Sequence, residues 1–230
     1  MTNMFVLFAF MASVQAGGAA VQTSTAPVQS AAADEAVLVV KLKGVEVGRE
    51  TVKVRPARPG RATGDSLVLA ASYPATRPTS EYRAVLERSP AGSEALEINV
   101  IAAEGATQIY AAAGRARVTV RTVARGTESA REFPSGEHVV LLDENLLGLF
   151  LTVAREATDA GARLTAIFPR TARRVTFTAR RAAGRLTVDE VQTTEIQLSG
   201  GITGSINLDD AGRLFRVALP ELGVEATRLH

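Results

Sequence analysis

The chain has no cysteine and no tryptophan, and only two of its 230 residues are histidine. Without cysteine, disulfides, thiolate nucleophiles, iron–sulfur clusters and cysteine-based zinc sites are excluded. Two histidines alone give little basis for a transition-metal site, so neither a metal nor another cofactor is expected. Acidic and basic residues nearly balance, 24 against 26, so the overall charge favours no particular partner.

The residues that are abundant are typical of β-structure. Val, Thr, Ile and Leu supply much of the hydrophobic fraction of 46%, whereas aromatic residues make up 5%. β-branched side chains suit the pleated, half-buried surface of a strand. A chain of this length is expected to form one domain with a sizeable core.

The N-terminal residues predict export. An apolar run at residues 5–11 precedes Val14-Gln-Ala16, which fits a small-residue cleavage site before Gly17. The run is too short to span a bilayer, and no Lys or Arg precedes it, a departure that a misplaced start codon would explain. We expect a signal peptide at residues 1–16, a disordered linker at 17–33 and one β-rich domain at 34–230, in the periplasm or secreted.

Most of the remaining chain alternates with the period of a strand. Residues 115–123 show it best, with Arg117, Thr119 and Arg121 on one face and Val118 and Val120 on the other. Short turn signals separate about a dozen such strands. Because short turns join antiparallel neighbours, the sequence predicts a mainly β fold: a large curved antiparallel sheet, as a half-barrel or open barrel.

One stretch, at about residues 143–158, has helical spacing instead. Asp143 stands where an N-cap belongs, and Gly161 follows the last periodic residue. The helix is apolar nearly all round, so it must be enclosed. The sequence therefore predicts one central helix around which the sheet wraps.

A sheet of this size around a single helix leaves room for an apolar cavity, although a fully packed core is the alternative. Sequence alone does not separate residues that line a cavity from residues that fill a core. The candidate positions for either role are Leu146, Leu149, Phe150 and Val153 on the helix and Val118, Val120, Val175, Phe177, Ile196, Leu198 and Phe215 on the sheet.

These features together resemble the exported bacterial half-barrel proteins of the periplasmic lipoprotein-carrier type. The resemblance rests on the Val45-Glu-Val-Gly48 hairpin, the Leu142-Asp-Glu-Asn145 helix start, the Gly212-Arg-Leu214 hairpin and the strand Gly223-Val-Glu-Ala-Thr-Arg228. It implies a curved sheet whose apolar concave face holds acyl chains or a similar ligand. This chain departs from those proteins because it lacks the several helices that close them.

No catalytic motif stands out. Ser135, His138 and Asp143 would make an imagined triad, but all three lie in one short stretch and no G-x-S-x-G elbow occurs. Gly200-Gly-Ile-Thr-Gly204 leads into a strand rather than a helix, so it is interpreted as a turn and not a phosphate loop. The protein is predicted not to be an enzyme, and a hydrolase using His138 is the weakest alternative.

Between residues 161 and 188 the chain carries arginines and no acidic residue. They predict either a cationic face for an anionic membrane surface or envelope protein, or a solvated face balanced by carboxylates of neighbouring strands, which is favoured. Nucleic acid is not an expected partner. The residues are Arg163, Arg170, Arg173, Arg174, Arg180, Arg181 and Arg185.

The sequence thus favours an exported, non-enzymatic protein that binds a lipid or another apolar small molecule between the sheet and the helix. The alternative from a different class is a structural or protein-interaction module with a filled core and an Arg-rich binding face.

Overall fold

The structure, a computed structural model, describes residues 33–56, 64–89, 93–136 and 138–229. The predicted signal peptide at 1–16 lies outside these residues, as does the predicted linker up to residue 32.

Within the described ranges the chain forms sixteen strands, one α-helix and two short 3-10 helices. The strands are β1 (Asp34–Leu42), β2 (Val45–Arg55), β3 (Ser66–Tyr73), β4 (Ser80–Arg88), β5 (Glu94–Ala102), β6 (Gly105–Ala113), β7 (Arg117–Ala124), β8 (Thr127–Pro134), β9 (Val139–Leu141), β10 (Ala162–Phe168), β11 (Arg173–Arg181), β12 (Leu186–Val188), β13 (Val191–Gly200), β14 (Gly204–Asp209), β15 (Leu214–Leu219) and β16 (Val224–Arg228). The α-helix is α1 (Phe150–Glu156), and the 3-10 helices are Leu147–Leu149 and Pro220–Leu222.

All of these strands belong to one open sheet with β8 at one edge and β9 at the other. From β1, successive antiparallel hairpins lead outward to β8. The chain then reaches the opposite edge, where β9 pairs parallel with β10, and antiparallel pairs lead back until β16 pairs with β1. Parallel neighbours need a crossover connection, and the segment that contains α1 supplies it. The predicted mainly β, mostly antiparallel fold with a single helix is confirmed.

Alternate residues of the strands face a common core. In β3, for example, Leu67, Leu69 and Ala71 are buried while Ala70 is exposed. The crossover segment covers this inner face: the first 3-10 helix contacts β2, α1 contacts β11 and β14, and β9 contacts β5 and β6. Residues 146–154 are all buried, so the segment is enclosed as its composition predicts. In the described part of the chain, no helix has the length and apolar character needed to cross a membrane.

The helix is shorter than the sequence suggests, and the predicted N-cap role of Asp143 is wrong. Residues 139–141 form β9, Asp143 and Leu146 make an isolated bridge, and helical geometry begins only at Leu147. The carboxylate of Asp143 is bound by Arg170, a partner that sequence spacing does not reveal. At the other end Ala157 is extended and Thr158 bridges Arg180, so the helix ends at Glu156, five residues before Gly161.

The strand count exceeds the predicted dozen for local reasons. Residues 185–198 predict a single strand, but Asp189 and Glu190 both have positive φ and turn the chain between β12 and β13. A two-residue turn of this kind usually carries Asn-Gly or Asp-Gly, so Asp-Glu gives no sequence signal for it. The short strand β9 lies just before the predicted helix and has only three residues, too few to show the alternation of a strand.

Candidate functional site

Two buried carboxylates on the first half of the sheet hold the crossover segment. Glu50 on β2 is fully buried, and its two oxygens accept hydrogen bonds from the backbone N–H groups of Leu147 at 2.8 Å and Gly148 at 2.9 Å. Glu94 on β5 is 3% exposed and accepts a hydrogen bond from the N–H of Leu141 at 3.2 Å. Burial raises the pKa of Glu50 to about 8 and that of Glu94 to about 7, although these hydrogen bonds act in the opposite direction.

A second set of polar groups, buried or half-buried, fixes the residues that precede the helix. The Tyr73 hydroxyl donates to the carbonyl oxygen of Asn145 at 2.9 Å, and the side-chain amide of Asn145 donates to the Tyr82 hydroxyl at 2.7 Å. Asp143, which is 1% exposed, accepts two hydrogen bonds from the guanidinium of Arg170, at 2.8 and 3.2 Å. Burial raises the pKa of the Tyr73 hydroxyl, so it remains a hydrogen-bond donor at neutral pH.

Beside this network lies a cavity of about 110 Å³ that is partly open to solvent. Its apolar wall joins α1, β10, β15 and the second 3-10 helix, and a rim carries Arg173, whose guanidinium pairs with Glu144 at 2.9 Å and lies 4.3 Å from the Phe168 ring centre. The residues that line the cavity are Glu144, Phe150, Phe168, Arg173, Gly201, Ile202, Thr203, Leu219, Glu221 and Leu222.

A larger cleft of about 350 Å³ opens near the β14–β15 turn, and its lining is more charged. Arg213 pairs there with Asp209 at 2.7 Å, and Arg228 pairs with Asp34 at 2.7 Å. Because its charged groups already have partners, this open cleft offers less to a ligand than the apolar cavity does. The residues that line it are Val191, Gln192, Asp209, Asp210, Ala211, Arg213, Phe215 and Arg228.

The structure gathers the predicted cavity-lining positions into the core, and two of them also line pockets. Phe150 lines the 110 Å³ cavity and Phe215 lines the open cleft. Val175 is half-buried, and the others are buried in the continuous core, namely Leu146, Leu149, Val153, Val118, Val120, Phe177, Ile196 and Leu198. A ligand-binding role for these positions stays a prediction.

Sequence reasoning missed most of the cavity lining. Phe168 and Leu219 are the last residues of predicted strands and fall on the buried face. The alternation therefore predicts that they are buried, but not that they line a cavity. Leu222 lies in the second 3-10 helix and Thr203 in a loop, and both segments are too short for periodicity to give information. Only the fold brings these four residues to one place.

The imagined Ser135, His138 and Asp143 triad is not assembled. The Ser135 hydroxyl donates to the carbonyl oxygen of Gly114 at 2.9 Å, Asp143 is bound to Arg170, and Nδ1 of His138 lies 3.4 Å from Glu156. Among the described residues, no three His, Asp or Glu side chains cluster where they would hold a metal ion.

Carboxylates of nearby elements balance much of the predicted cationic face. Arg170 pairs with Asp143, Arg173 with Glu144, Arg181 with Asp159 at 3.8 Å, and Arg185 with Asp210. Arg180 donates to the side-chain oxygen of Gln197 at 3.4 Å. Arg163 and Arg174 are exposed and have no ion pair within the described residues.

The fold and its single helix define a β-barrel-like domain. A solved structure with the same kind of fold is a β-barrel-like protein of the domain of unknown function DUF1849 from Brucella abortus. The likeness covers 87% of this chain and 97% of that chain, with a TM-score of 0.55 and 8% sequence identity. No family model matches the chain, and no curated protein matches it in sequence. The similarity therefore concerns the fold, and the resemblance to lipoprotein carriers stays a prediction.

Proposed function

We propose that the protein binds a small hydrophobic ligand in the cavity beside α1 and that it does so as an exported, non-enzymatic protein. One observation carries the proposal: a cavity of about 110 Å³ lies against the crossover segment, with Phe150, Phe168 and Leu219 forming an apolar part of its wall. Apolar walls with a few polar groups are the usual form of a small-molecule site.

Rigid walls favour a cavity that exists before the ligand arrives. Phe150, Phe168 and Leu219 are 1%, 3% and 4% exposed, because the same side chains also pack into the core. The loop that carries Ile202 and Thr203 is held by a hydrogen bond from the Gly201 N–H to the carbonyl oxygen of Thr176 at 3.1 Å. A Cβ on Gly201 would lie 2.4 Å from a methyl carbon of Val175, so glycine lets this loop pack closely.

The size and the mouth of the cavity limit the ligand. Leu222 lies at the mouth and is 52% exposed, so it extends the apolar surface outward. Pockets for drug-sized ligands occupy roughly 300–1,000 Å³, and this cavity is smaller. A narrow aliphatic chain end therefore fits the space better than a bulky ring system.

The proposed location outside the cytoplasm rests on the N-terminal apolar run and the Val14-Gln-Ala16 cleavage pattern. The non-enzymatic role is supported by the separate hydrogen bonds of Ser135 and Asp143, which leave His138 without the partners of a triad. A lipid or another apolar small molecule is the partner that the cavity favours.

The test is ligand content and probe uptake. Native mass spectrometry of the exported protein is expected to show an added lipid-like mass, and the neutral aliphatic probe 1-octanol is expected to bind in a calorimetric titration. Leu222→Trp fills the mouth and should reduce probe affinity at least tenfold. Leu186→Trp is the matched control, because Leu186 is 46% exposed and lines neither pocket.

The second candidate function is an interaction module that uses the exposed Arg163 and Arg174 on β10 and β11. It predicts no probe uptake and no added mass, together with salt-sensitive binding to vesicles that contain anionic lipid. Probe uptake that Leu222→Trp abolishes would favour the cavity instead.

A further inference from the structure

Two turns at one end of the sheet form a single projecting unit. The β1–β2 hairpin closes with Lys43 and Gly44, both at positive φ, and the second 3-10 helix is followed by Gly223. The backbone N–H of Lys43 donates to the carbonyl oxygen of Gly223 at 2.7 Å. A Cβ on Gly223 would lie 3.1 Å from Cγ of Lys43, so the lysine stem packs over this glycine. The two turns, residues 42–45 and 220–223, are thus held together, and we call them the apolar tip.

The apolar tip exposes three aliphatic side chains. Val45 is 66% exposed, Leu222 is 52% exposed and Leu42 is 42% exposed. Single exposed apolar side chains are ordinary on a protein surface, whereas several on adjoining turns mark an interaction site.

A row of apolar residues connects the tip to the cavity. Val45 lies opposite Leu42 in the β1–β2 pair. Leu42 in turn lies opposite Val224, and Val224 lies opposite Leu219. Residues paired in this way point to the same face of the sheet, with Cβ atoms about 4.5–5.5 Å apart. The row ends at Leu219, which is buried and lines the cavity, and Leu222 lines the same cavity, so the apolar surface is continuous from the tip to the cavity wall.

The charges on and beside the tip favour an anionic surface. Lys41 and Lys43 are exposed and have no ion pair within the described residues. Among the charged side chains next to the tip, unpaired bases therefore outnumber unpaired acids by two to one. The acids are Glu46 and Glu225, which pair with Arg49 and Arg216, and the unpaired Glu221.

The neighbouring turns carry the same imbalance. Because successive strands alternate in direction, the β3–β4, β5–β6 and β7–β8 turns lie at the same end of the sheet as the β1–β2 turn. Arg77 and Arg125 are exposed on two of these turns and have no ion pair in the described part of the chain, and Glu104 is the one acid on the three. This end of the molecule would therefore be attracted to anionic lipid headgroups.

The composition of the tip suits a bilayer better than a protein partner. Protein interfaces are centred on Trp, Tyr and Arg and bury about 800 Å² on each partner, whereas the tip exposes three aliphatic side chains on two narrow turns. The Lys43 stem packs along the tip, which leaves its ammonium group free to reach lipid headgroups. The Lys43 N–H already has its partner in Gly223, so it remains paired in an apolar layer.

We propose that the apolar tip docks on a bilayer that contains anionic lipid, with Val45, Leu42 and Leu222 among the acyl chains just beneath the headgroups. Lys41 and Lys43 lie against the headgroups. The docking goes beyond the proposed function, because it does not require an occupied cavity. It places the mouth of the cavity against a source of apolar ligand.

The experiment uses the absence of cysteine, because a single introduced cysteine can be labelled selectively. Val45→Cys carrying a nitrobenzoxadiazole label is expected to shift its emission to shorter wavelength when vesicles are added to the full exported protein. The vesicles contain three parts phosphatidylcholine to one part phosphatidylglycerol. Leu186→Cys with the same label is the matched control, since Leu186 is 46% exposed and lies at the opposite end of the sheet, and its emission should not shift.

A vesicle flotation assay measures the contribution of the tip. Val45→Asp should weaken binding about tenfold, as expected when one valine side chain no longer enters the apolar layer. Val45 lines neither pocket, so this variant should keep the melting temperature and the affinity for 1-octanol of the parent. Lys43→Gln should weaken binding to the vesicles that contain phosphatidylglycerol and leave the weaker binding to pure phosphatidylcholine unchanged.

An unshifted label at position 45, equal shifts at positions 45 and 186, or equal vesicle binding by Val45→Asp and the parent would each overturn the docking. Equal binding that high salt abolishes would assign the contact to Arg163 and Arg174 instead. A label shift that grows with protein concentration without vesicles would show that a second copy of the chain covers the tip, which also overturns it. Retained 1-octanol binding in these cases leaves the proposed function in place, whereas vesicle docking without 1-octanol binding removes the proposed function alone.

Discussion

The carboxylate of Glu50 accepts a hydrogen bond from the backbone N–H of Gly148 at 2.9 Å, although 98 positions separate the two residues in sequence. The second oxygen of the same carboxylate binds the N–H of Leu147. Glu50, on the inner face of β2, therefore satisfies the two backbone N–H groups that are free at the start of the first 3-10 helix. Glu94 does the same for Leu141, so two strands of the first half hold the crossover by buried acids.

Stability is expected to fall as pH rises from about 5 to 8. Both pKa values are raised above the ordinary 4.5, to about 7 for Glu94 and about 8 for Glu50, so the folded state binds protons more tightly than the unfolded state. The stabilisation that comes from protonating Glu94 and Glu50 in the folded state is complete below about pH 4.5. It is lost as pH rises through 7 and then 8, at roughly 1 kcal/mol per pH unit for each group. Urea unfolding at pH 5, 7 and 9 measures it. An unfolding free energy that rises over this range would contradict it.

Replacing each acid by its amide should separate the two roles. Gln at position 50 can accept only one of the two N–H bonds and turns its own donor toward the other, so Glu50→Gln should cost about 1–3 kcal/mol at pH 7.

Glu94→Gln should behave differently, because only one oxygen of Glu94 has a partner within the described residues. The amide oxygen can keep the bond from Leu141, and the buried charge disappears. We expect this variant to be at least as stable as the parent at pH 8 and to lose the part of the pH dependence between 4.5 and 7. Equal destabilisation in both variants would show that the difference in partners has no effect.

Gly148 is required by close packing against the sheet. A Cβ there would lie 2.5 Å from a methyl carbon of Leu69, 2.6 Å from one of Val52 and 2.9 Å from an oxygen of Glu50. Gly148→Ala should therefore destabilise the fold by about 1–3 kcal/mol or more. Gly136→Ala is the control, since its Cβ would meet only the Thr165 hydroxyl oxygen, at 3.5 Å. Thermal melts of both variants decide the point.

Arg170 belongs to the interior network rather than to a binding face. Arg170→Ala would leave the carboxylate of Asp143 buried without its ion-pair partner, which should cost about 3–5 kcal/mol. Arg163→Ala and Arg174→Ala should each change the unfolding free energy by less than about 0.5 kcal/mol, because both side chains are exposed. Similar losses of unfolding free energy in all three variants would show that Arg170 contributes no more to stability than the exposed arginines do.

Local patterns in the sequence predicted much of the fold. The alternation of Val118 and Val120 with charged neighbours gave β7, and the apolar spacing of Leu149, Phe150 and Val153 gave a buried helix. The exact start of that helix depends on Glu50 of β2 and on Arg170 of the turn between β10 and β11. Such long-range partners leave no trace in local spacing.

The candidate site was less predictable for the same reason. Phe150 was identified because it belongs to the apolar helix, but Thr203, Leu219 and Leu222 come from a loop, a strand end and a short 3-10 helix. Gly48 shows how little the sequence reveals about the role of a single glycine, because the sequence suggested only a turn nearby. In the structure Gly48 lies within β2, where a Cβ would lie 2.2 Å from the Tyr73 ring.

The pairing of β1 with β16 has a consequence for how the molecule is made. Leu38 of β1 lies opposite Arg228 of β16, so one side of an early strand has no neighbour until nearly all later strands have been synthesised. Contacts this distant along the chain slow folding, and an unpaired central strand is prone to association with other chains. We therefore expect the free edge of β1 to need protection from other chains until β16 has been synthesised.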